Sequence, residues 1–82
     1  MEEPRFKRSG LNIVGPRIKA LRVARGWSQL ILAAHAAAHD WPISRDMVAN
    51  FELGRTRVDD AALRHLAEIL GVEIKDLFPK SH

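Results

Sequence analysis

Eighty-two residues with 46% hydrophobic content suit one small domain with a modest core. The absence of cysteine excludes disulfides and thiolate metal sites, no apolar run approaches a membrane span, and the charged N-terminus lacks a signal-peptide core, so a small cytoplasmic protein is expected. The net charge of +3 is unevenly spread: residues 1–25 carry seven cations against two carboxylates, and residues 26–82 carry six against eight, which points to a basic face or arm turned toward a polyanion.

Residues 1–13 mix charge with Pro4, Gly10 and isolated Phe6, Leu11 and Ile13, and no period is sustained. They read as a flexible basic arm, either a solvated tail or a run of cations able to follow phosphates or enter a minor groove. The folded domain is expected over residues 14–78, with 79–82 a tail.

A first helix should start near Pro16, whose fixed φ suits the first helical position, and stop at Gly26. Ile18 and Leu21, with Ala24, form its inward stripe, while Arg17, Lys19 and Arg25 are expected in solvent. Trp27 should then pack down as a core anchor. Ser28 caps a second, alanine-rich helix through Ala38, with Leu32, Ala33 and Ala36 inward. Leu30 and Ile31 point partly outward and could mark a partner surface. The run His39-Asp40-Trp41-Pro42 ends that helix, because the residue before proline avoids the α region. Trp41 should cover the gap between helices two and three.

Ser44 can cap a third helix whose inward residues are Val48 and Phe51 and whose stop is Gly54. Arg45, Asp46 and Asn50 fall elsewhere on its circumference. A short helix with a guanidinium- and amide-bearing face has the chemistry needed to read base edges in a DNA major groove, although an ordinary surface helix carries the same residues. Gly54-Arg55-Thr56-Arg57 is a turn with two cations. Asp59 caps a fourth helix, in which Ala62, Leu63, Leu66, Ala67 and Leu70 repeat at helical spacing before Gly71. Ile74, Leu77 and Phe78 fit a short fifth helix before Pro79. No strand-like alternation appears, so the fold class is all-α with five short helices.

In this order, Ile18-x-x-Leu21-Arg22, Gly26-Trp27-Ser28-Gln29, Ile43-Ser44-Arg45, Glu52-x-Gly54-Arg55 and Leu63-x-x-Leu66-Ala67-x-x-Leu70-Gly71-Val72 with Leu77-Phe78 form a joint pattern. The chain from about Gly15 to Phe78 thereby resembles the Cro and phage-repressor (Xre-like) type of helix-turn-helix DNA-binding domain. The resemblance implies a compact lambda-repressor-like fold with a recognition helix at about 44–53 lying in the major groove. It assigns base reading to Arg45, Asp46 and Asn50. Arginine can bond guanine and asparagine adenine bidentately, whereas Asp46 can either accept from cytosine or orient Arg45. Gln29, Ser44, Arg55, Arg57 and Arg17 are the phosphate-contacting positions it implies, and Arg22 with Glu52 the pair linking helix one to the recognition helix.

Three departures stand out. The interval from Ser28 to Ser44 is about five residues longer than the usual tight arrangement, and His39-Asp40-Trp41-Pro42 replaces the customary turn glycine. Leu53 replaces the asparagine often found before the glycine. Met47 and Ala49 replace commoner polar residues, which thins the reading face.

His35 and His39 stand four apart, but the glutamate and third ligand of HExxH chemistry are missing, so no metal and no cofactor are expected. No nucleophile motif or phosphate loop accompanies the serines, which argues against an enzyme. The expected partners are therefore double-stranded DNA and a second copy of the chain, with Val72–Phe78 the dimer surface implied by the resemblance. The rival reading is a protein-interaction module or antitoxin-like protein on the same fold.

Overall fold

A computed structural model describes residues 10–79 and places four α-helices in them: α1 (Gly15–Ala24), α2 (Gln29–Ala38), α3 (Arg45–Leu53) and α4 (Asp60–Leu70), followed by a 3-10 turn at Ile74–Leu77. The arm expected over 1–13 lies outside the described residues up to position 9, as do positions 80–82 of the tail. Among the described residues there is no strand, and no helix is long and apolar enough to cross a membrane.

The short fifth helix expected before Pro79 is a 3-10 helix at Ile74–Leu77. Asp76 N–H bonds the carbonyl of Glu73 at 2.9 Å, the two acids form a capping box, and Phe78 before Pro79 is forced into extended backbone. Of its three apolar residues only Leu77 is buried; Ile74 and Phe78 are exposed.

Ser28, Ser44 and Asp59 each accept an N–H from the first turn of the following helix through the side chain, at 3.1, 3.1 and 2.9 Å. The helix ends share a second device. In all four helices two N–H groups fold back in the paired arrangement of a Schellman motif, closed by Trp27, Trp41, Arg55 and Val72 onto the carbonyls of Arg22, Ala36, Asn50 and Ala67. Gly26, Gly54 and Gly71 hold the left-handed position in three of these motifs, and Asp40, with φ of 58°, holds it in the fourth. The turn glycine missing after helix two is thus replaced functionally by an aspartate.

Helix α3 packs against both α1 and α2, and α4 with the 3-10 turn closes the other side. Ile18, Leu32, Val48, Leu66, Leu70 and Leu77 are fully buried at the centre. The inward faces read from spacing match this core for α2 and α3; in α1 Ala24 is exposed, and in α4 Ile69 is buried as well. Trp41 reaches further than the gap between α2 and α3: its ring stacks on Phe51 of α3 and on His65 of α4, at centroid separations of 6.0 and 4.8 Å. Trp27 is half-buried between the His35 ring, 4.1 Å away, and the Arg25 guanidinium, 5.1 Å away.

Candidate nucleic-acid interface

The centre of the site is a buried ion pair. The Arg22 guanidinium donates to Glu52 Oε2 at 2.6 Å and to Oε1 at 3.0 Å, and its third arm donates to the Trp27 carbonyl at 2.7 Å. Hydrogen bonding to the carboxylate raises the Arg22 pKa above the ordinary arginine value against the opposing effect of burial, so the guanidinium stays charged. With three bonds satisfied, α1, the α1–α2 turn and α3 are locked together through one residue.

From Glu52 the network runs outward to solvent. Gln29, the first residue of α2, donates its amide to Glu52 Oε1 at 3.0 Å. Its carbonyl oxygen accepts from Arg45 Nη1 at 3.3 Å, and Arg45 Nη2 reaches Asp46 Oδ1 at 3.3 Å. Arg45 is the first residue of α3, and its side chain remains 57% exposed. Five of the residues singled out from the sequence, Arg22, Gln29, Arg45, Asp46 and Glu52, therefore form one continuous chain of bonds. Ser44 sits beside it as the α3 cap.

Asn50 lies half-buried one turn further along α3, and no side-chain hydrogen bond engages it among the described residues. Its carbonyl accepts the N–H of Arg55 at 2.9 Å, which ties the start of the cationic turn to the helix. Arg55 and Arg57 are both exposed. Leu30, at 64% exposure, and Ile31, at 42%, stand on α2 directly after Gln29.

One arginine departs from the expected exposure. Arg17 was expected in solvent among the phosphate contacts; it is half-buried, and its Nε donates to the carbonyl of Asp76 at 3.1 Å, joining α1 to the 3-10 turn. Arg25 is exposed as expected, and its Nε also donates to the last carbonyl of α4, Leu70, at 2.9 Å. Orphan carbonyls at a helix C-terminus attract such donors, and that pull is invisible in a one-dimensional pattern. Among the described residues no group of three or more His, Asp or Glu side chains comes together to hold a metal.

Asn12 was not singled out from the sequence at all. Its Oδ1 accepts from Val14 and Gly15 N–H at 3.0 and 2.8 Å, which caps α1. Its Nδ2 donates to the carbonyls of Phe51 and Thr56 at 3.1 and 2.7 Å. The available signal was an asparagine shortly before Gly15-Pro16, a capping residue ahead of a helix-starting proline.

The Helix-turn-helix family profile matches residues 18–77, which is most of the chain. The chain belongs to the helix-turn-helix family of the Cro and phage-repressor type. That family consists of DNA-binding transcription regulators. Among solved structures, the chain is similar to the restriction-modification controller protein C.AhdI from Aeromonas hydrophila, at 32% identity and a TM-score of 0.69, over 79% of this chain and 91% of that one. The DNA-binding domain of BldD has the same fold, with a TM-score of 0.69 at 24% identity over 88% of this chain and 97% of that one. No curated protein resembles the chain closely enough to count as a match.

Proposed function

We propose that this protein is a sequence-specific transcriptional repressor that binds double-stranded DNA with α3 in the major groove. The observation that carries the reading is the bond chain from Arg22 through Glu52 and Gln29 to Arg45. It anchors an exposed guanidinium on the first turn of α3 to the interior of the protein, so the ordering cost of one long side chain is largely met before DNA arrives. Arg45 reads guanine, Asn50 reads adenine, and Asp46 holds Arg45 in orientation. Gln29, Ser44, Arg55 and Arg57 face phosphates, and Arg17 adds through its remaining guanidinium arms. One short recognition helix makes few base contacts, so a homodimer on a two-fold related site, with half-sites about 34 Å apart, completes the reading.

An NMR titration with duplex DNA at two salt concentrations tests this. Shifts centred on Gln29, Arg45–Asn50 and Arg55 that weaken steeply as salt rises support the proposal, whereas an unmoved α3 at low salt refutes it. The exposed Leu30–Ile31 pair favours a second reading, a protein-partner surface of the antitoxin kind. In that case Leu30→Glu abolishes partner assembly and leaves DNA binding by α3 intact.

A further inference from the structure

We infer that Asn12 is a positioning residue for the cationic turn, its side-chain amide fixing residues 54–57 so that Arg55 and Arg57 are presented together to the DNA backbone. The inference rests on the DNA-binding reading above and assigns the presentation of that turn to a residue outside the helix-turn-helix.

The bonding capacity of the side chain is the first argument. Capping α1 needs only Oδ1, which takes the Val14 and Gly15 N–H groups. The Nδ2 group is surplus to capping, yet both its hydrogens are spent on Phe51 in the last turn of α3 and Thr56 in the turn beyond. Two N–H donors on one side and two carbonyls on the other also leave only one possible orientation of the amide. Asparagine alone fits: aspartate lacks the donors, and serine caps but cannot span to the carbonyls.

The second argument is what the turn lacks elsewhere. Residues 55–58 have no helical or strand structure. Arg55 N–H holds the Asn50 carbonyl at one end and Val58 packs against the core at the other; between them the Asn12 amide makes the one side-chain hydrogen bond to this segment among the described residues. Leu11 N–H adds a backbone bond to the Gly54 carbonyl at 2.9 Å. Thr56, the tethered residue, sits half-buried between Arg55 and Arg57, both exposed and without an ion-pair partner among the described residues. Two neighbouring cations repel each other, so a turn that aims both at one strand of phosphates needs a restraint from outside.

Full-length protein carrying Asn12→Ser keeps an acceptor for the α1 cap and loses the donor arm. Binding to a mixed-sequence duplex, followed by fluorescence anisotropy over a salt series, should show the slope of log K against log salt reduced by about 1–2, as in Arg55→Ala/Arg57→Ala. Combining all three changes should add almost nothing to the double variant. In the free protein, amide exchange at residues 55–57 should accelerate while α1 stays protected. Asn12→Thr, which keeps a hydroxyl acceptor and sets no carboxylate against the Phe51 and Thr56 carbonyls, should show the same exchange pattern and guards against a folding defect in the serine variant. Unchanged exchange at 55–57 in folded variants, an unchanged salt slope, or fully additive losses would overturn the assignment. A wild-type protein that fails to bind the duplex would instead overturn the DNA-binding reading, with the exchange data still reporting whether Asn12 sets the turn.

Discussion

Gly15→Ala should destabilise the domain although alanine is the better helix former. Gly15 begins α1 where it meets the end of α3, and a Cβ there would lie 2.5 Å from the Phe51 carbonyl oxygen and 2.6 Å from that of Glu52. Relief requires α1 and α3 to separate by on the order of 0.5–1 Å, because the obstructing atoms are backbone and cannot rotate away. That movement stretches the Asn12 bond to Phe51 and loosens the seam holding the recognition helix. Replacing glycine returns about 0.4–1 kcal/mol through the unfolded chain. Overpacking costs about 1–3 kcal/mol, so the midpoints of the two ranges leave a net loss of about 1.3 kcal/mol. For a domain this small each kcal/mol corresponds to roughly 4–8 °C in Tm. Thermal unfolding followed by circular dichroism should show a fall of about 5–10 °C. A Tm equal to or above that of the parent protein would refute the close backbone approach.

Other perturbations separate the remaining features. Glu52→Ala strands a buried guanidinium and should cost about 3–5 kcal/mol in urea unfolding, while Arg22→Met combined with Glu52→Leu should recover most of it. Asp40→Gly removes left-handed strain that outweighs the added chain entropy, and should raise stability by about 0.5 kcal/mol; Asp40→Val should lower it by at least about 1 kcal/mol, both read from thermal melts. Ser44→Ala should cost about 1 kcal/mol and speed amide exchange in the first turn of α3. Competition binding should separate two cations: Arg45→Ala relaxes sequence preference, whereas Arg55→Ala weakens all duplexes about equally and lowers the salt slope by about 1.

The four α-helices were legible because each is bracketed by local chemistry. Ser28, Ser44 and Asp59 cap in the structure as their residue types suggest, and Gly26, Gly54 and Gly71 stop the helices in the left-handed conformation. The inward faces of α2 and α3 followed from spacing alone. The turn after α2 was harder, because Asp40 takes a role usually signalled by glycine. The last element is helical as the spacing suggests, but as a four-residue 3-10 helix in which only Leu77 is buried, while Ile74 and Phe78 are exposed. Arg17 was misplaced because its partner is the backbone carbonyl of Asp76, distant in sequence, and carbonyls have no residue type to read.

Local sequence by itself determined where the helices start and stop and which residues α3 carries, since caps, stops and apolar periods act within a few residues. The pattern of Arg22, Gln29, Glu52 and Arg45 was also visible as a set of residue types. Only the tertiary structure decided that these four make one bond chain, and that Gly15 and Asn12 seat α1 on the end of α3. Those decisions depend on distances of about 3 Å between segments some 16 to 44 residues apart, set by how the helices pack rather than by any stretch of chain. The segment around Ser44–Gly54 presents a polar face on its own; the contacts of α1 and α2 orient that face.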